Sequence, residues 1–360
     1  MRSLILIASC ALLASAQTNT RNVILVTADG LRWQDLFNGM DPLLMSEASA
    51  GMEKASDIRN QFRGNSSEEA REKLLPFFWG KLARTGVVLG NVKTGSSVRI
   101  SNAYRVSYPG YSEILTGRAQ DDIIRGNIKI QNPTVTVLEF VRSKLNLSRN
   151  KVALFASWDV FPYIGETKQG SITINAGYQN SSESPRMQEL SSLQFQMRTP
   201  WDSVRHDQIT TDMALDHIRR NQPRLVHIAL GEMDDWAHDR RYDRVLTSIH
   251  AFDHNLQQIW SFVSQHPQYR HRTTLIVTSD HGRGSKLADW HSHGKDVAGA
   301  EDIWLAIFGP DIAAKGEVSV TEPVLQRDVS PTILKLFGLD YREYSGVQGI
   351  PLPSKVWRAP

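Results

Sequence analysis

A chain of 360 residues with 41% hydrophobic and 22% charged side chains has the composition of a globular protein, which excludes a disordered or fibrous reading. Its 41 Lys and Arg stand against 38 Asp and Glu, a net charge of +3, so it carries no nucleic-acid-binding signature. The single cysteine, Cys10, excludes an intramolecular disulfide, a cysteine-based zinc site and a CxxC redox pair.

Residues 1–16 read as a signal peptide. Arg2 supplies a short positive region, Leu4 to Leu13 an apolar core, and Ala14-Ser15-Ala16 a small-x-small cleavage site. Cleavage before Gln17 removes the only thiol. No later segment reaches the ~18 apolar residues of a spanning helix, so no transmembrane segment is expected after the leader. The expected location is secreted or periplasmic, where metal ions can replace disulfides as staples. Sequons at Asn65, Asn146 and Asn180 matter only in a glycosylating host.

Taken in chain order, short β-branched runs alternate with helical patterns. A strand is expected at 23–27, followed at 38–75 by a polar insertion in which Ser66-x-x-Glu69 could open a helix. Pro109 with Ile114 and Leu115 points to a helix starting just after Ser107. A helix at 135–145 leads to a strand at 152–155, and a helix at 210–220 to a strand at 225–230. The long helix at 241–265 carries Leu246, Ile249, Asp253, Leu256, Trp260 and Val263 on one stripe, with a single carboxylate in it. Strands at 274–278 and 303–308 precede a last helix between Asp328 and Gly338. Continuous apolar strands are buried on both faces. The expected class is α/β, a doubly wound, mostly parallel central sheet with helices on both faces. No repeat or Pro/Gly-rich linker divides it, so residues 17–360 read as one domain.

The acids fall at strand ends: Asp29 after the first strand, Asp234 and Asp235 after the strand at 225–230, and Asp280-His281 after that at 274–278. In an open parallel sheet those ends line one ligand-binding edge. A lone Asp there is usually a turn or helix cap; three such sites, two with a nearby His, point to a shared crevice. All eleven histidines lie after residue 205, and His238, His281, His291 and His293 sit beside the acids or in the following loop. Asp234-x-x-x-His238 puts two side chains one helical turn apart. His250-x-x-x-His254 has the same spacing but lies off the apolar stripe and reads as surface, while His217, His227, His266 and His271 read as structural. Ser107, at a helix N-terminus where anions are favoured, is either a plain cap or a nucleophile.

Val26-Thr27-Ala28-Asp29-Gly30, Ser107-Tyr108-Pro109, Asp234-x-x-x-His238, Thr278-Ser279-Asp280-His281-Gly282 and Ser292-His293-Gly294-Lys295-Asp296, in that order, resemble the alkaline phosphatase superfamily, and within it the type I phosphodiesterase/nucleotide pyrophosphatase branch. The resemblance implies two zinc ions, with Mn2+ or another divalent metal as alternatives. Asp234, His238 and His293 would hold one; Asp29, Asp280, His281 and the Ser107 oxygen would hold the other. It also implies a small-molecule phosphate ester substrate, attack by Ser107 on phosphorus, and hydrolysis of the resulting phosphoserine. Asn127 would donate to a phosphate oxygen. Imidazole with carboxylate suits zinc independently of the resemblance, and three carboxylates leave part of a +4 charge for phosphate.

Departures from the pattern narrow the reading. Ser107 stands where that branch usually has Thr, and Gly110-Tyr111 where it has Asn-His. Sulfatases of the same superfamily carry Cys or Ser-x-Pro-x-Arg, and Tyr111 replaces that Arg. After the middle strand, Ser157-Trp158-Asp159 lacks the basic residues of some monoesterase relatives, which favours a diester or pyrophosphate. Trp158, Phe161 and Tyr163 offer either packing surface for a second substituent or core, and Arg105, Arg118 and Arg125 could reach a phosphate and reverse that inference.

Overall fold

The computed structural model describes residues 18–46 and 55–359; the expected leader at 1–16 and part of the expected insertion lie outside the described residues. The strands are β1 (Asn22–Ala28), β2 (Gly86–Leu89), β3 (Val98–Arg99), β4 (Val152–Ala156), β5 (Thr173–Ala176), β6 (Leu225–Leu230), β7 (Thr273–Thr278), β8 (Asp302–Ile303), β9 (Leu305–Phe308), β10 (Gly316–Glu317) and β11 (Val324–Leu325). Eight form the central sheet in the order β10-β2-β9-β7-β1-β6-β4-β5. All its pairings are parallel except those of β9, which runs antiparallel to β7 and β2. The other three make a small sheet, β11-β3-β8.

Alternation along β1 shows why its run is apolar throughout. Ile24, Val26 and Ala28 enter one core with Met213, Leu246, Phe252 and Trp304, whereas Val23 and Leu25 enter the other with Leu115, Leu138 and Ile333. The helices Asp207–Asn221 and Tyr242–Gln265 cover the first face; Ser107–Thr116, Val137–Lys144 and Val329–Leu336 cover the second. This is the expected doubly wound, mostly parallel sheet.

Individual elements refine the expectations. The run at 303–308 is divided: Ile303 belongs to the small sheet and Leu305–Phe308 to the large one. Trp304, between them, is buried and donates its indole N–H to Leu31 O at 2.9 Å. Asp253, the lone acid on the long helix's stripe, accepts the backbone N–H groups of Phe77 and Phe78 at 2.8 and 2.7 Å. His250 is not a free surface residue, because it is half-buried, meets Leu74 O at 2.9 Å and packs against Phe62. His254 is exposed. Within the expected insertion, Ser66 caps the helix Ser67–Leu74 by accepting Glu69 N–H, and Leu44, Phe62 and Leu74 join the first core. No described helix is long and apolar enough to cross a membrane.

Candidate metal centre

Because β7, β1 and β6 are neighbours in the sheet, the acids that follow them converge. Asp29 directly follows β1, Asp280 lies two residues beyond β7, and Asp234 sits on the short helix Glu232–His238 after β6. That helix is capped from outside: Asp207, the first residue of a neighbouring helix, accepts Gly231 N–H at 2.8 Å and Glu232 N–H at 3.2 Å.

His281 Nε2 lies at the centre of the deeper cluster, 3.3 Å from Asp29 Oδ1, 3.5 Å from Asp280 Oδ2 and 3.4 Å from Ser107 Oγ. Each carboxylate has one oxygen held by the protein. Tyr111 donates its hydroxyl to Asp29 Oδ2, and Gly30 N–H donates to Asp280 Oδ1, both at 3.1 Å. The other two oxygens, Asp29 Oδ1 and Asp280 Oδ2, are buried with no hydrogen-bond partner. Bare buried carboxylate oxygens are costly unless something positive meets them. His281 Nδ1 lies 3.0 Å from Gly282 O. A proton on Nδ1 satisfies that carbonyl, so that release of the Nε2 proton on metal binding would give the tautomer a metal ligand needs. These three distances from His281 Nε2 lie near the ~3.4 Å that separates ligands around a tetrahedral zinc with ~2.1 Å bonds.

The second cluster lies nearer solvent. Asp234 Oδ2 is 3.0 Å from His238 Nε2, which is 3.1 Å from His293 Nε2. His293 Nδ1 faces Arg105 O at 3.1 Å, again freeing Nε2. The two expected ligand sets meet at His281, which lies 3.6 Å from Asp234 Oδ1 and is close enough to group with Asp234 and His293 as well as with Asp29 and Asp280.

Charge follows geometry. Burial and the neighbouring Asp29 raise Asp280 well above the usual carboxylate range. Burial opposes protonation of His281, but Asp280 and Asp29 outweigh it and push this imidazole up to about 9. His293 is held well below its ordinary value by burial and by His281. Asp235, beside Asp234, is pushed up to about 7 by burial and by Asp29. His227 stays structural: buried, 3.0 Å from Thr27 Oγ1, and pushed down to about 3 by burial.

Ser107 is the first residue of the helix Ser107–Thr116, buried at its N-terminus. Asn127 is exposed, and its Oδ1 accepts the N–H of Tyr108 at 2.8 Å, so its amide is fixed beside that N-terminus. Phe161 is core, packed edge-on against Tyr111, whereas Trp158 and Tyr163 are half-exposed. Arg105 pairs with Glu301 at 3.0 Å and Arg118 meets Thr134 Oγ1 at 2.6 Å, so both are engaged; Arg125 is exposed. Sequence reasoning missed Arg283, buried and bonded to Asp234, although it directly follows Asp280-His281-Gly282.

Residues 198–341 match the Metalloenzyme superfamily model. A curated relative, "Sulfatase ppz1" of Metarhizium majus, is 33% identical over 144 residues, which is 38% of this chain and 30% of that protein's length. Among solved structures, wild-type alkaline phosphatase PafA superposes with a TM-score of 0.58 at 12% identity, covering 95% of this chain and 99% of that one. The phosphonate monoester hydrolase SpPMH from Silicibacter pomeroyi gives 0.55 at 17% identity, covering 94% and 78%. The chain thus shares the fold of alkaline phosphatase PafA, and its residues 198–341 carry the match to the Metalloenzyme superfamily model.

Proposed function

We propose that this chain is an exported, metal-dependent hydrolase of phosphoric esters, with a phosphodiester or pyrophosphate preference, acting through a covalent phosphoserine at Ser107. The observation that carries the reading is the pair of bare, buried oxygens, Asp29 Oδ1 and Asp280 Oδ2, facing His281 Nε2 with Ser107 Oγ 3.4 Å from that nitrogen. Such a donor set of hard oxygens and imidazole fits zinc, with Mn2+ or another divalent ion as alternatives. Asp234, His238 and His293 fit a second ion. Bound there, the ions would activate the serine hydroxyl and neutralise charge on the phosphoryl oxygens and leaving group.

The chain's own residues supply the rest. The N-terminus of the Ser107 helix favours an anion beside the nucleophile. Asn127, oriented by Tyr108 N–H, offers its amide to a phosphoryl oxygen. Tyr111 and Gly30 N–H hold the two deeper carboxylates in place. Ser107 Oγ attacks phosphorus, the alcohol or phosphate leaves from the opposite side, and water then attacks the phosphoserine to free the hydroxyl. The half-exposed Trp158 and Tyr163 support a second substituent on phosphorus. So does the engagement of Arg105 and Arg118, because a monoester dianion wants additional cations. The 1–16 leader pattern supports export.

A sulfatase reading is favoured by the name of the Metarhizium relative. Against it stands Tyr111, which occupies the position of the Arg in the sulfatase motif, packs on Phe161 and bonds Asp29. The discriminating experiment is turnover of aryl phosphodiesters, phosphomonoesters and sulfate esters by the zinc-loaded protein and by Ser107→Ala. Phosphodiester turnover lost in Ser107→Ala, with about two metals still bound, is expected. Activity that survives the substitution would remove Ser107 as nucleophile, and metal binding without any turnover would indicate a catalytically silent relative.

A further inference from the structure

We propose that Arg283 is a positioning residue of the metal centre, a clamp that fixes the Asp234 carboxylate in place at the ion shared with His238 and His293. The proposal rests on the two-metal reading above. Arg283 is 2% exposed. Its Nη2 donates to Asp234 Oδ1 and, at 3.1 Å, to Asp234 O; Nε donates to Gly30 O at 3.2 Å, and Nη1 to His291 O at 2.6 Å. Gly30 follows Asp29, and His291 precedes His293 by two residues. One planar guanidinium therefore ties the three segments that carry Asp29, Asp234 and His293. A lysine ammonium lacks the rigid fork needed to reach all of them.

The division of Asp234 is the consequence. Oδ1 is held by Arg283 where it faces His281 Nε2 at 3.6 Å and His293 Nε2 at 3.9 Å, while Oδ2 faces His238 Nε2 at 3.0 Å. Gly30 is part of the same fit. Its φ is +60°, and a Cβ there would stand 2.7 Å from Asp234 Oδ1 and 2.8 Å from Arg283 Nε and Nη2, so the clamp requires bare backbone at that turn.

The test is a Zn2+ titration in competition with a chromophoric chelator, applied to wild type, Arg283→Met, Arg283→Lys, Asp234→Ala and the Asp234→Ala/Arg283→Met double variant. Wild type should bind two ions per chain. Arg283→Met should weaken one of them about 10- to 100-fold, as loss of an outer-shell partner does, and leave the other within about twofold. Arg283→Lys should weaken the same ion, and it carries the test if the methionine variant fails to fold. In the Asp234→Ala background, Arg283→Met should change zinc affinity no further, because the clamp then has no ligand to position. Equal or tighter zinc binding by both Arg283 variants would overturn the proposal, since that is what a merely structural or metal-competing arginine gives. An undiminished effect in the double variant would overturn it as well. Failure of wild type to bind zinc would instead overturn the two-metal reading and, with it, the clamp.

Discussion

Asp29 and Asp280 share one design: a first oxygen tied down by the protein and a second left bare against His281 Nε2. Replacing Asp280 with Asn should therefore abolish one of two bound metals and reduce turnover at least 100-fold, read by metal analysis alongside kinetics. Metal content unchanged in Asp280→Asn would contradict this assignment. His281 sets the pH response. Its folded value of about 9 lies above the ordinary 6.5 because Asp280 and Asp29 overcome the effect of burial. The stability this gives the metal-free protein is fully present below about 6.5 and lost as pH rises through about 9; the raised Asp280 acts in the same sense. The melting temperature of chelated protein should thus fall over that window. Zinc affinity should rise across it, as binding no longer has to displace a proton. A metal-free melting temperature that rises between pH 6.5 and 9 would contradict the charge assignment.

At the scale of elements, the active geometry depends on how closely the Ser107 helix approaches the end of β7. A Cβ on Gly110 would stand 2.2 Å from Asp280 O and 3.0 Å from its carbonyl carbon, and neither backbone can yield without moving Ser107 from the acids. Gly110→Ala should destabilise by about 1–3 kcal/mol by denaturant titration and lower turnover further than that loss alone predicts. A stable, fully active Gly110→Ala variant would show that the approach is slack. Strands β1, β4, β6 and β7 were legible because doubly buried parallel strands read as unbroken apolar runs. β2 and β5, four residues each, offer too short a signal to separate from loop. The 303–308 run misled because Trp304 marks the change between two sheets, and a change of partner leaves hydropathy unaltered. The Asp253 carboxylate was visible as an oddity on an apolar stripe, yet its role depends on Phe77 and Phe78, 175 positions or more away. Asp253→Ala leaves those N–H groups unpaired and should cost about 1–3 kcal/mol in chemical denaturation.

For the whole molecule, a net charge of +3 conceals a concentration of Asp and His at one sheet edge. The ligand candidates Asp29, Asp234, His238, Asp280, His281 and His293 could be read from sequence because parallel topology delivers strand ends to one edge. Arg283, Gly30 and Tyr111 could not, because their roles are contacts between segments up to hundreds of residues apart. With no cysteine beyond Cys10, bound metals would serve as the cross-links among β1, β6 and β7. Chelation should therefore lower the melting temperature together with activity; an unchanged melting temperature would remove the structural half of that claim. Phosphoryl transfer through Ser107 at a two-metal centre is decided by comparing aryl phosphodiester, phosphomonoester and sulfate turnover in zinc-loaded wild type and Ser107→Ala. Phosphodiester hydrolysis should be foremost and be abolished by the substitution with both metals retained; substantial sulfate turnover with negligible phosphate turnover would overturn this mechanism.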